Sequence, residues 1–173
     1  AALLPPGSEI VDLTVSPDHR HIFGMTADSV LIWELNGGRV RSYAHPGIRQ
    51  YAFSADGSRL FTLSPDRVWV WSAEGSDLLA YPRPPDAPPI VLARFSDTGG
   101  HLVIGLSETE APPARKGFFS FLKRKRKTEG RIVYWSIAQG QEVEAFRVAG
   151  GELVDATVSE DARFAVALQP GKA

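Results

Sequence analysis

Four histidines, a set of turn aspartates and one run of cations are the side chains of this sequence with chemistry to offer. The histidines are His19, His21, His45 and His101. A structural zinc site needs three or four ligands, usually as closely spaced pairs of Cys or His. The chain has no cysteine. That removes thiolate zinc sites, disulfide scaffolds and cysteine nucleophiles. No carboxylate cluster accompanies the histidines, so no metal site is expected. His21, Arg59 and His101 fall in one aligned column, and a position that takes either His or Arg reads as a solvated turn. Asp28 and Asp66 look paired for acid–base work, but they occupy equivalent turns of separate units, which hairpin geometry explains. There is no GxSxG, no P-loop and no GxGxxG following a strand. The sequence therefore predicts no catalytic residue and no cofactor.

The cations are different. Phe118-Phe119-Ser120-Phe121-Leu122 runs directly into Lys123-Arg124-Lys125-Arg126-Lys127. Rings followed by five cations can enter a lipid interface while the charges meet anionic headgroups, each contributing about 1 kcal/mol near the surface. The same charges can meet an acidic protein, neutralise nucleic-acid phosphates or serve as a nuclear-import address. They can also form a solvated loop whose phenylalanines fold back onto the body. Phe118, Phe119, Phe121, Leu122 and Lys123 to Lys127 are the candidate contact residues. For the run itself the solvated loop is the leading reading, an anionic protein and an anionic membrane surface weigh equally behind it, and nucleic acid ranks last; for the chain as a whole a protein partner is favoured.

The elements that position this run repeat. Residues 10–35 read IVDLTVSPDHRHIFGMTADSVLIWEL, and residues 48–73 read IRQYAFSADGSRLFTLSPDRVWVWSA. Residues 90–107 begin the sentence again, 131–137 resume it as RIVYWSI, and 153–168 restart it. Ser16, Ser54, Ser96 and Ser159 mark one column, and Trp33, Trp71 and Trp135 another. In the second unit, 48–53 alternates as a strand and ends in the turn Ser54-Ala55-Asp56-Gly57. Leu60–Leu63 follows as a strand, then the turn Ser64-Pro65-Asp66, then Val68–Trp71, apolar on both faces. Both-face burial suits a sheet packed between two others. Leu78–Tyr81 reads as an outer strand. Pro82, Pro84, Pro85, Pro88 and Pro89 read as a stiff link outside any ladder.

Four short strands in a period of about 40 residues predict an all-β repeat array of the β-propeller kind. An immunoglobulin-like sandwich is also all-β, but it has no reason to repeat Ser, Asp and Trp in register. The pattern resembles the WD40 and YVTN-like propeller families. Phe53-Ser54-Ala55-Asp56-Gly57, the turn aspartates 28 and 66, and the tryptophans at 33, 71 and 135 carry the resemblance. It departs from strict WD40 repeats, because Trp33-Glu34, Trp71-Ser72 and Trp135-Ser136 replace Trp-Asp and no Gly-His pair precedes a unit. The Asp-His-Ser-Trp hydrogen-bond network of that family is thus incomplete.

The resemblance implies one WD40-like propeller segment over 1–173, of about 3.5 four-stranded blades. They span about 10–44, 48–82, 90–148 with an insertion at 108–130, and a partial blade at 153–173. The expectation is a ring completed either by further blades of a longer chain or by self-association of two copies. The tryptophans are expected in the core. The insertion carries seven basic and three acidic residues, net +4, against −1 for the whole chain, so the remainder is −5. By the resemblance it stands on the face that receives peptide partners. The expected function is a non-catalytic interaction and scaffolding module. The alternative is part of a lactonase- or quinoprotein-like enzyme whose site needs more blades. No leader or membrane-spanning run is legible in the sequence, and the cytoplasm is favoured.

Overall fold

The computed structural model describes residues 9–74, 78–107, 129–149 and 153–169. These residues form fourteen strands and no helix. The first sheet contains β1 (Asp12–Val15), β2 (His21–Met25), β3 (Ser29–Glu34) and β4 (Val40–Ala44). The second contains β5 (Gln50–Phe53), β6 (Arg59–Ser64), β7 (Arg67–Ser72) and β8 (Leu78–Pro82). The third contains β9 (Ile90–Phe95), β10 (His101–Leu106), β11 (Glu129–Ser136) and β12 (Gln141–Ala149). A two-stranded sheet of β13 (Asp155–Val158) and β14 (Ala165–Leu168) follows. Each sheet is an antiparallel meander with its strands in chain order.

The expected all-β class and the expected strands are present, with two adjustments. Pro82, expected in the link, closes β8 opposite Arg67. β8 is the last strand of its sheet, where a missing N–H breaks no ladder. Glu129 and Gly130, expected in the insertion, belong to β11 and pair with Ala149 and Val148.

Why four strands per unit is visible in the burial. The middle strands are apolar on both faces, as in Leu60, Phe61 and Leu63 of β6 and Val68, Val70 and Trp71 of β7, all buried. The last strands are mostly exposed; β12 buries none of its side chains fully. A residue buried on either face of a strand needs a neighbouring sheet on that face. The clusters supply these neighbours in series. Phe23, Val30 and Ile32 of the first sheet meet Leu60 and Trp71 of the second. Phe61, Leu63, Val68 and Val70 meet Leu102, Ile104, Val133 and Trp135 of the third. Val103, Ile132 and Tyr134 meet Ala156 and Val158 of the two-stranded sheet. Full burial of each such side chain contributes about 1.5–3 kcal/mol. Of the repeated tryptophans, Trp71 and Trp135 are buried and Trp33 is half-buried. Gly24 leaves room for the Trp33 ring, since a Cβ there would lie 2.5 Å from it.

The first strands of successive sheets are also tied to one another. The Tyr51 hydroxyl donates to Asp12 Oδ2 at 2.7 Å. The Gln50 amide donates to the Ala93 carbonyl at 3.0 Å and accepts from the Ala93 N–H at 3.4 Å. Arg94 lies 3.5 Å from Asp155. One polar link therefore joins β1 to β5, β5 to β9 and β9 to β13.

Candidate functional site

The candidate contact residues, Phe118, Phe119, Phe121, Leu122 and Lys123 to Lys127, lie outside the described residues. Their point of departure is described. β10 and β11 remain paired up to Leu106 opposite Arg131. Ser107 is fully buried, and its N–H donates to the Pro89 carbonyl at 3.1 Å. Gly130 is buried on the return. The insertion thus replaces the tight turn found between β2 and β3 and between β6 and β7, while the hairpin beneath it stays intact.

Those hairpin turns and the links between sheets share one end of the strands. There His45 N–H donates to Asp28 O, Arg83 N–H to Asp66 O and Ile90 N–H to Pro65 O. The Arg83 guanidinium also holds Asp66 at 3.2 Å, and the Arg67 guanidinium sits 5.2 Å from the centre of the Trp69 ring. Asp66 is consequently a link-fastening carboxylate, and the Asp28 carbonyl receives the next link. This is consistent with reading both as structural turn positions.

Beneath this end runs a buried hydrogen-bond chain that the sequence reading missed. Trp71 Nε1 donates to Thr62 Oγ1 at 2.9 Å. Thr62 Oγ1 is 2.7 Å from His45 Nδ1. An indole only donates, so the Thr62 oxygen accepts from Trp71, and the direction of its bond to His45 is set by the imidazole tautomer. His45 Nε2 is buried without a hydrogen-bond partner among the described residues. Burial first, and the nearby Arg67 cation second, push its pKa down to about 4. The signal in the sequence was weak: one His in a link, with Thr and Trp far along the chain.

At the opposite end, four turns share one design. In the second sheet, Ser54 Oγ donates to Asp56 Oδ1 at 2.6 Å and accepts from Arg59 N–H at 3.0 Å. Ser159 donates to Asp161 at 2.7 Å and accepts from Phe164 N–H at 3.0 Å. Ser16 does the same with Asp18 and His21. The third turn carries Thr98 in place of the Asp, and Thr98 Oγ1 stands 3.3 Å from Ser96 Oγ. The serine hydroxyls lower the pKa values of Asp18 and Asp161. Asp56 is lowered to about 2 by the Ser54 and Ser58 hydroxyls and the Ser58 N–H. These carboxylates are committed to holding turns.

The histidine column is not solvated, contrary to the sequence reading. His21 is 7% exposed, and its Nδ1 is 3.9 Å from Asp18 Oδ2. The His101 ring stacks on Tyr134 at 4.5 Å and 15°. Arg59 reaches the next turn and donates to the Gly99 carbonyl at 2.9 Å. Arg59 thus ties the second unit to the third, whereas His21 and His101 pack within their own units. Between the first two sheets at this end lies an open cleft of about 850 Å³, lined by charges of both signs including Asp18, Arg20, Glu34, Arg39, Arg41 and Glu74. Among the described residues no three His, Cys, Asp or Glu side chains are placed to hold a metal ion. No described helix is long and apolar enough to cross a membrane.

Compared with known proteins, the chain matches no family model and no curated protein.

Proposed function

We propose that the chain is a WD40-like β-propeller segment that works as a non-catalytic interaction and scaffolding module, contacting an acidic protein partner through the insertion between β10 and β11. The observation that carries this reading is the serial packing of four meander sheets with their first strands linked one to the next. That is how successive blades sit around an axis. The His45–Thr62–Trp71 chain adds support. It supplies the His, hydroxyl and Trp members of the network found in the stricter family, while among the described residues no carboxylate bonds His45 Nε2. The carboxylates of Asp18, Asp56, Asp66 and Asp161 are engaged in holding turns and links, which favours a platform over an enzyme. On that platform the net charge of +4 in 108–130 stands against −5 in the remainder. Five adjacent cations beside three phenylalanines suit an acidic surface with apolar content.

The test compares the intact chain with a version lacking 111–128, titrated against a fluorescent polyglutamate peptide carrying a few aromatic residues. The expected result is saltable binding, meaning affinity that falls as ionic strength rises, weakened at least tenfold by the deletion. Equal affinity for both versions would overturn the reading. Sedimentation with anionic vesicles checks the membrane alternative, which the ring-then-cation order favours. Vesicle binding that needs 111–128, with no polyglutamate binding, would replace the protein partner by a membrane surface.

A further inference from the structure

The charged cleft of about 850 Å³ between the first two sheets takes no part in the contact proposed for the insertion. Its walls follow from the register of the first sheet. Phe23 clusters with Leu60 and Trp71, and the Tyr43 ring lies 4.6 Å from that of Trp71, so both residues face the second sheet. Side chains two apart on a strand share a face. His21, two before Phe23, and Arg41 and Arg39, two and four before Tyr43, therefore face the second sheet as well. The Glu34 N–H bond to the Arg39 carbonyl extends the ladder, so His21, Glu34 and Arg39 form one row across the sheet. Of the described side chains lining the cleft, Ala73 alone is apolar. Its cations, Arg20, Arg39 and Arg41, form no ion pair among the described residues. Its carboxylates are differently placed. Asp18 and Asp56 each accept from a serine hydroxyl and a backbone N–H in their own turns. Glu34 is folded over the turn after β3, its Oε2 2.9 Å from the place of a Cβ on Gly37, and so leaves its cross-strand neighbour Arg39 unpaired. Glu74 is exposed. His21 is buried at 7% exposure, and its Nδ1 has no hydrogen bond among the described residues. Such a nitrogen is a donor or acceptor that a ligand oxygen can satisfy.

The repeat does not require these cations. Between the second and third sheets the matching groove is about 510 Å³ and is lined by Val70, Trp71, Leu79 and Ile137. Arg59, in the place of His21, reaches the Gly99 carbonyl of the next turn. Ser58 and Leu79 stand where the first sheet has Arg20 and Arg41. We propose that the cleft between the first two sheets binds a small molecule through a diphosphate group, with Arg20, Arg39 and Arg41 as its anchors and His21 as a further hydrogen-bond partner. A guanidinium is a planar fork of donors that matches phosphoryl oxygens. Arg20 precedes β2 and Arg39 precedes β4, two strand spacings or about 10 Å away, so two linked phosphates serve these forks better than one. Small-molecule sites run to roughly 300–1,000 Å³, which leaves room beside the diphosphate, and the sparse apolar lining suits a polar remainder.

The test titrates inorganic pyrophosphate into the full 173-residue chain by calorimetry at fixed ionic strength, with sulfate and inorganic phosphate as comparisons. The expected result is saturable 1:1 binding, about tenfold tighter than for either single anion. Adenosine diphosphate distinguishes the source: tighter binding than pyrophosphate places the diphosphate on an organic molecule, and equal binding makes the free anion sufficient. Lys123 to Lys127 also attract anions, so nitrogen-15 spectra of the unaltered chain locate the site. Pyrophosphate should shift the His21 ring nitrogens and the guanidinium signals of Arg39 and Arg41. Arg39→Gln and Arg41→Gln should each weaken binding about tenfold, while Arg147→Gln on the third sheet should leave it unchanged. Arg41→Lys keeps the charge and loses the fork, so it should fall between. Equal affinity for pyrophosphate and sulfate, His21 signals that do not move, or binding that survives both glutamine substitutions would overturn the proposal.

Discussion

His19, Gly57, Gly99 and Ala162 hold the same place in four turns, with φ of 57°, 72°, 70° and 57°. Left-handed backbone strains a residue with a Cβ by about 1–2 kcal/mol. His19→Gly and Ala162→Gly should each stabilise the chain by about 0.5–1 kcal/mol, after allowing for the looser unfolded chain; chemical denaturation measures it. Gly57→Ala should do the reverse by about 2 kcal/mol or more, since its Cβ would also lie 2.9 Å from the Asp18 nitrogen. The sequence made the glycine turns legible. It hid the equivalence of His19 and Ala162, because neither residue type announces positive φ. His45 hid for a related reason, as a link residue shows its burial only when the sheets are stacked. Its pKa, held near 4 against an unfolded value near 6.5, means the unfolded chain binds the extra proton first. Stability from this group is complete above about pH 6.5 and is lost as pH falls toward 4, on the order of 3 kcal/mol in all. The lowered aspartates, Asp56 above all, extend the loss from about pH 4 toward pH 2. Unfolding free energies of wild type and His45→Gln between pH 7 and pH 4 check this: the wild type should lose stability more steeply. Parallel curves would exclude His45 as the source.

At the scale of elements, the second sheet is the most tightly specified, because its middle strands carry Thr62 between Trp71 and His45. Thr62→Val keeps the shape and leaves a buried indole N–H and an imidazole nitrogen unbonded. The expected loss is about 1–3 kcal/mol by denaturant titration; a neutral result would contradict the chain as drawn. The third sheet is specified differently. Its β10–β11 hairpin is fully paired below Leu106 and Arg131, so removing 111–128 should leave the melting temperature within a few degrees. A large drop would mean that the insertion is part of the core. Strand positions were legible because alternation and turn residues agreed over the whole unit. Pro82 and Glu129-Gly130 were misplaced because strand ends depend on a partner's length, which no local pattern encodes. The solvated reading of His21 and His101 failed because the first lies against the Asp18 side of its own turn and the second stacks on Tyr134 of the neighbouring strand, contacts that a single aligned column does not show.

For the whole molecule, the serial order of the sheets decides the distribution of stability. The second and third sheets are covered on both faces, whereas the first leaves Val11, Leu13 and Val15 at 64%, 54% and 49% exposure and the last leaves Phe164 and Val166 open. Such faces and edges promote association. Repetition in the sequence foretold the stack. Stability in a stacked array is a sum of unit and neighbour contributions, so opening should begin at the ends. Residue-resolved amide hydrogen exchange on the full chain reads this out directly. The slowest exchange is expected in β6, β7, β10 and β11, faster exchange in β2 and β3, and the fastest ladder exchange in β13 and β14. Protection of β13 and β14 equal to that of β10 and β11, in a chain shown to be monomeric, would contradict the serial stack.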